Sequence, residues 1–270
     1  MKTDAEHDVQ LIENKDLSQE DLIDQLKLSC SLLVKENEHN KMQSRFIAMA
    51  SHEFRSPLTS IQLSASLMER YYDKMYHQKK MFHLNAIKNA AHDIESILND
   101  FLSADGLMNN SLKPAFAEFN LKLFCEDIAN EIGWGQTHQT ITYQHTGEGE
   151  LVFSDKSFLR HCIINLLSNA IKYSCDDGVI EFETEITDRD FVVKIKDNGI
   201  GIPEESQGRI FEAFFRADNT ADIQGTGLGL NIVEHYVCLL NGHVKLTSKI
   251  NSGTTFLLIF PIKNKVVGYS

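Results

Sequence analysis

The chain has 270 residues, 42% of them apolar, and a formal charge of -12; this is enough for one large domain or two modest ones with a real core, and too acidic for broad binding to nucleic acid or an anionic membrane, which needs clustered Lys and Arg. The five cysteines, Cys30, Cys125, Cys162, Cys175 and Cys238, are odd in number and form no C-x-x-C pair, so neither a disulfide framework nor zinc is indicated and a reducing cytoplasm fits. No apolar run approaches the roughly 18 residues of a membrane span, the opening MKTDAEHDVQ has no apolar leader core, and the sequence reads as soluble.

From about Leu17 to Asp105 there is no Gly and a single Pro, a composition that permits long helices and little else. Ile23, Leu26, Cys30, Leu33, Asn37, Asn40, Ser44 and Ile47 fall at alternating steps of three and four, a narrow heptad seam with a polar middle. Such a seam predicts a two-stranded coiled coil and hence a homodimer; a lone amphipathic helix packed on its own domain is the competing reading. The stretch FIAMASHEFRSPLTSI continues the helical pattern with Phe46, Ile47, Ala50, Phe54 and Leu58 on one face, and sets His52 beside Glu53 with Pro57 five residues on. The pattern breaks around YYDKMYHQKK and resumes from Met81 to Leu102, with Phe82, Ile87, Ala91, Ile94, Leu98 and Leu102 on one side. Two antiparallel helices follow, and two such hairpins make a four-helix bundle. SADGLMNNSLKP, with Gly106 and Pro114, reads as a hinge.

Beyond Phe116 the pattern changes in kind. TITYQH, ELVFSD, VIEFETEI, FVVKIKDN, HVKLTSKI and TTFLLIFPI read as strands, with helices at Leu121 to Ile132, Lys156 to Tyr173 and Leu228 to Leu240. An α+β sandwich with helices on one face of a mixed sheet is the economical packing.

Three strings in this half carry chemistry. In NLLSNAIKYS, Asn165 and Asn169 share a helix face, with Lys172 and Tyr173 one turn on; an amide oxygen is a good ligand for a hard cation, and capping or solvated polar positions are the plainer alternative. In DNGIGIP, Gly199 and Gly201 allow close ligand approach, and Asp197 at a strand end can accept from an exocyclic amine; an ordinary turn would look similar. In GTGLGL, glycines lead into a helix N-terminus, a setting for phosphate, although no strand directly precedes it and no dinucleotide or Walker fingerprint is matched.

Taken together, these strings resemble sensor histidine kinases over nearly the whole chain. SHEFRSPLTSI is similar to their H-box, NLLSNAIKYS to the N-box, DNGIGIP to the G1 box, IFEAFFR to the F-box and GTGLGLNIV to the G2 box, in family order. The resemblance implies a multidomain protein: an N-terminal segment and coiled-coil signalling helix over 1–39, an all-α hairpin forming a dimeric four-helix bundle for dimerisation and histidine phosphotransfer over 40–110, and an α+β sandwich ATP-binding domain, of the type shared with gyrase, Hsp90 and MutL, over 111–270. It makes His52 the phospho-acceptor and Glu53 its general base. By the same resemblance Asn169 would be the principal Mg2+ ligand, with Asn165 beside it. ATP would be held by Asn165, Asn169, Lys172, Tyr173, Asp197, Gly199, Gly201, Phe214, Arg216, Gly225, Gly227, Leu228 and Gly229, with Lys172 toward phosphate, Tyr173 along the adenine or ribose and Asp197 on the adenine amine. The implied activity is ATP-dependent autophosphorylation on His52 and phosphoryl transfer to an Asp of a response regulator, in a chain expected in the cytoplasm, alone or as the cytoplasmic part of a larger or membrane-associated sensor.

The chemistry of the residues agrees with this assignment. An imidazole with pKa near 6.5 is substantially neutral in the cytoplasm and nucleophilic at nitrogen, and an adjacent carboxylate can hold or take the proton of its second nitrogen. Pro57 removes a helix hydrogen bond just beyond His52. Two departures from the family pattern stand out. ADNTADIQ, the expected lid, is short and has no Lys or Arg between Arg216 and Gly225, which places more of the positive charge on Arg216 or Lys172. Ser56 stands where a Thr or Asn is associated in the family with dephosphorylating the response regulator. A conformational ATPase like gyrase or Hsp90 would share the ATP fold but not the upstream His-Glu hairpin, and a scaffold without turnover would have lost positions that are all filled here.

Overall fold

The computed structural model describes residues 51, 53–108, 112–133, 139–147, 149–220, 223 and 225–262. The chain divides into two compact units, 1–51 and 52–270, and the description below is of the second. The coiled-coil seam from Ile23 to Ile47 and His52 of the H-box lie outside the described residues.

Helix α1 covers 53–71, and the chain stays helical through Pro57. A 3-10 turn at Tyr72–Lys74 closes the hairpin, and α2 runs over His77–Met108. Lys80 Nζ sits 3.7 Å from the centre of the Tyr72 ring, across the turn. Small residues line the interior of the pair, with Ala90 and Ser64 both buried. Helix α2 is longer than the apolar row suggests: it starts four residues before Met81 and ends six after Leu102. Gly106, expected in a hinge, falls inside its last turn. A mid-helix Gly costs only about 1 kcal/mol relative to Ala, too little to stop a ladder already propagating. No helix among the described residues is long and apolar enough to cross a membrane.

The second half is layered. Strand β1 (Ala117–Asn120), which the sequence pattern did not announce, pairs antiparallel with β3 (Leu151–Ser154). Helix α3 (Leu121–Gly133), β2 (Thr140–Gly147), α4 (Lys156–Tyr173), β4 (Val179–Ile186), β5 (Asp190–Lys196), a single turn α5 (Glu204–Gln207), α6 (Gly229–Leu239), β6 (His243–Lys249) and β7 (Gly253–Pro261) follow. The main sheet is ordered β2-β4-β5-β7-β6, with β2 parallel to β4 and all other pairs antiparallel. All six expected strands and the three expected helices are present.

Period-2 alternation sorts the sheet into two faces. One carries Ile180, Phe182, Phe191, Val193, Ile195, Phe256, Leu258 and Phe260, all buried, with Phe191 stacked on Phe260 at 4.8 Å. Helices α3, α4 and α6 cover this face. The opposite face carries cross-strand ion pairs, Lys194 to Glu183 at 2.9 Å and Lys196 to Glu181 at 2.8 Å. Helix α4 buries Phe158, Leu159, Cys162, Ile163, Leu166, Leu167 and Ala170 against sheet and α6, and Phe158 lies flat on the Tyr236 ring of α6 at 4.4 Å.

The start of α4 is fixed by Asp155. Its Oδ1 accepts from the amides of Ser157 and Phe158 at 2.8 and 3.0 Å, and its Oδ2 from the Ala115 amide. The carboxylate is buried, so deleting it leaves three amides short of a partner. Asp155→Ala is expected to destabilise the second half by about 2 to 3 kcal/mol in urea unfolding, the sum of a lost cap and newly unpaired amides. Asp155→Asn should recover part of that loss, and an unchanged unfolding midpoint in the Ala variant would remove Asp155 as the cap.

Candidate active site

The face of α4 turned away from the sheet opens onto a cleft of about 370 Å³, within the size range of small-molecule sites. Because Asn165, Asn169 and Lys172 recur at steps of four and three, one helix that packs the core on its apolar side lines the cleft with the three together. The end of β5 and its following turn supply Asp197, Ile200, Gly201 and Ile202; the loop after it supplies Ile210, Phe215 and Arg216; the glycine turn before α6 supplies Gly225, Thr226, Gly227 and Gly229. The hairpin contributes Glu53 from α1 and Asp93, Ile97 and Asp100 from α2.

One part of the cleft is apolar around a single buried carboxylate. Asp197 Oδ1 accepts from the Gly199 amide at 2.8 Å and the Thr254 amide at 3.2 Å. Both bonds fall on one oxygen, so among the described residues the other is available to a donor in the cleft. Burial raises the Asp197 pKa, and the two amides oppose that rise. Ile200, Ile202, Ile210 and Phe256 line the same space. A flat apolar group with an exocyclic N-H donor fits this chemistry. The turn is held open by Gly201, whose φ of +68° places it where a Cβ would lie 2.1 Å from the Lys249 carbonyl. No other residue fits there without backbone movement.

The other part is polar. Asn165 donates to the His161 carbonyl at 3.1 Å, and Asn169 makes no side-chain hydrogen bond among the described residues, which leaves its amide oxygen open. A Cβ at Gly229 would sit 2.6 Å from Asn165 Oδ1, and one at Gly225 would sit 2.6 Å from Lys172 Nζ. These two glycines therefore keep clear the space in front of an oxygen donor and an ammonium. Helix α6 begins at Gly229, so its free N-terminal amides add a positive end suited to an anion. Burial lowers the Lys172 pKa, and so does the nearby Arg216; Glu53, Asp93 and Asp100 hold it up. Burial raises the Tyr173 pKa, against the Arg216 charge.

Not every expected residue lines the cleft. Gly199 lies behind Asp197, its amide spent on that carboxylate. Phe214 adopts φ of +67° and donates its amide to the Gly227 carbonyl at 3.0 Å, closing the loop on the glycine turn rather than facing the cavity. Leu228 is buried, with its amide bonded to Thr226 Oγ1 at 3.2 Å. Arg216 lines the cleft, but its guanidinium donates to the carbonyls of Thr220 and Ile223, and so ties down the segment after it. Asn219 ties the same segment to the Gly201 carbonyl at 2.9 Å.

The sequence pattern also missed residues. Thr254 carried a readable signal, a polar residue at an inward position of a buried strand. Thr226 and Asp100, joined at 3.0 Å, carried none, since the contact links residues far apart in the chain. Among the described residues no group of three or more His, Cys, Asp or Glu is placed to hold a metal ion. The oxygen donors suited to a hard cation are the two Asn amides.

Residues 42–105 match the His Kinase A (phospho-acceptor) domain, and residues 154–264 match the histidine kinase-, DNA gyrase B-, and HSP90-like ATPase family. The adaptive-response sensory kinase SasA of Gloeothece citriformis is 28% identical over 241 residues, covering 83% of this chain and 59% of that protein. The circadian input-output histidine kinase CikA of Synechococcus elongatus is 27% identical over 259 residues, covering 93% of this chain and 33% of that one. The chain thus spans 59% and 33% of the length of these two relatives. Its fold is shared with histidine kinase ThkA, in a complex with the response regulator protein TrrA, at a TM-score of 0.59 and 24% identity over 85% of this chain and 66% of that one. It is shared also with the Acinetobacter baumannii histidine kinase AdeS, at 0.56 and 23% identity over 79% and 98% of the two chains. With a phospho-acceptor segment matched ahead of an ATP-binding segment, and the cleft described above inside the second, the chain belongs to the histidine kinases.

Proposed function

We propose that the chain phosphorylates itself on His52 from ATP and passes the phosphoryl group to an Asp of a response regulator. One observation carries the reading: Glu53, covalently next to His52, is buried and lines the same cleft as Asn165, Asn169, Lys172 and the glycine turn. A nucleotide in that cleft therefore has its phosphates on the side of the acceptor helix. Adenine occupies the apolar part with its amine on Asp197, and the phosphates face Lys172, Gly225, Gly229 and the start of α6.

The lone pair of a neutral His52 ring nitrogen forms the bond to the γ-phosphorus while the bond from that phosphorus to the bridging oxygen breaks, releasing ADP. Glu53 holds and takes the proton that the second ring nitrogen gives up as the ring becomes cationic. Asn169, with Asn165 beside it, would hold the Mg2+ whose chemistry there is to neutralise charge on the phosphate oxygens. In the second reaction a carboxylate oxygen of the response regulator forms the new bond to phosphorus and the bond to His52 breaks. The complex of ThkA with TrrA supports a receiver of this kind as partner.

A homodimer is supported by the hairpin itself. Leu58, Leu63, Phe82 and Leu98 are all exposed in one chain, Phe82 at 69%, and a second hairpin covers such faces in a four-helix bundle. The division at 39/40 and 110/111 is proposed with it.

Incubation with γ-labelled ATP is expected to give acid-labile, alkali-stable label. His52→Gln should abolish it and leave ATP affinity unchanged, because nucleophile and nucleotide site are on different segments; joint loss of label and affinity would overturn the assignment. Glu53→Gln should slow labelling on the order of 10²- to 10⁴-fold, the range of general-base catalysis, with a wild-type rate excluding the role.

The pocket gives a second test. Asn169→Ala should lose Mg2+-dependent ATP binding. Asp197→Asn presents a donor where an acceptor is needed, and should weaken ATP binding by about 1 to 3 kcal/mol. Equal labelling from GTP and ATP in the parent protein would remove Asp197 as the adenine reader.

A further inference from the structure

Helix α2 has two working faces. The apolar row Ile87, Ala91, Ile94 and Leu98 is the one proposed for the bundle. Asp93 and Ile97 each precede a member of that row by one residue, which turns them about 100° around the helix, and Asp100 and Ser103 continue their stripe at helical spacing. This second face meets the ATP-binding segment. Asp93, Ile97 and Asp100 line the cleft, and Ser103 is hydrogen-bonded to Tyr236 of α6.

The central contact is a chain of hydrogen bonds. The Leu228 amide donates to Thr226 Oγ1 at 3.2 Å, and that hydroxyl donates to Asp100 Oδ2 at 3.0 Å. The carboxylate is thereby connected through one hydroxyl to the first amide of the helix end that faces the phosphates, where a negative group also complements the helix dipole. We propose that Asp100 is a positioning residue which, through Thr226, locks the phosphate-facing end of α6 to the phospho-acceptor hairpin. This rests on the proposed histidine kinase reaction, and adds to it a residue that sets where the bound nucleotide stands relative to the acceptor helix.

The surroundings fit that role. Burial pushes Asp100 up to about 6, against the Thr226 bond and the nearby His161 and Lys172 charges. Asp93 and Glu53 share the Lys172 ammonium with it, and Tyr236 faces it from α6. A carboxylate desolvated to this degree is not a solvated surface group.

Asp100→Ala, Asp100→Asn, Thr226→Val and the Asp100→Ala/Thr226→Val pair are compared in the full chain. ATP affinity is read with a fluorescent analogue, and labelling rate at saturating ATP. Asp100→Ala and Thr226→Val should each lower the saturated rate about tenfold, as a small misplacement of reacting groups does, with ATP affinity within about twofold. The pair should be no slower than either alone, and Asp100→Asn, which keeps an acceptor oxygen, should recover most of the rate. Loss of affinity in step with rate, or full additivity in the pair, overturns the proposal. Hydrogen exchange at the amides of 228–231 separates this from the underlying reaction. Faster exchange in Asp100→Ala but not Asp100→Asn supports the lock even if no variant labels His52, whereas equal exchange in all variants overturns it. Unchanged unfolding midpoints in Thr226→Val and Asp100→Asn guard against misfolding as the cause.

Discussion

The second half of the molecule depends on the use of one helix on both sides. An α-helix returns to the same direction every three to four residues, so the apolar set of α4, from Phe158 to Ala170, and its polar set Asn165, Asn169 and Lys172 occupy separate stripes. The apolar stripe is pinned to sheet and α6 by complete burial of large side chains. That burial fixes the helix rotation, and the rotation fixes where two amides and an ammonium stand. Asp155 sets the register of the first turn. A site built on a packed helix inherits the rigidity of its core.

Electrostatics explain how an acidic chain serves a polyanion. A charge of -12 opposes phosphate at long range, but screening limits that field to about 10 Å at 0.1 M salt. Within the cleft, Lys172 and Arg216 stand close enough to lower the Lys172 pKa. Two cations kept close together, with the glycine turn leaving room before one of them, favour the arrival of negative charge. The carboxylates of Glu53, Asp93 and Asp100 partly balance the cations in the meantime. Arg216 meanwhile holds the segment after it through two carbonyls, so a phosphate that draws on this guanidinium competes with the fold of that segment.

Much of this was legible from local pattern. Strands of seven to nine residues announced themselves by alternation, and the shared face of Asn165 and Asn169 followed from their spacing. Asp197 at a strand end, between two glycines and an apolar run, was readable as a floor residue. What escaped was of two kinds. Short or marginal features, such as β1 and the helical state of Gly106, lack the length or the energetic penalty to mark a sequence. Supporting residues were merged with lining ones: Gly199, Phe214 and Leu228 sit inside the motifs, yet their backbone bonds shape the turns from behind. Asp100 and Thr226 meet only because two distant segments pack, and no local periodicity encodes that.

The length of α2 has a mechanical consequence. At about 1.5 Å per residue, its 32 residues make a rod roughly 48 Å long with the Lys80–Tyr72 contact near one end and Asp100 near the other. Because Gly106 and the residues before it stay in the ladder, there is no joint along its span. A twist applied at the hairpin turn therefore meets one uninterrupted helix on its way to the glycine turn, as torque meets a drive shaft.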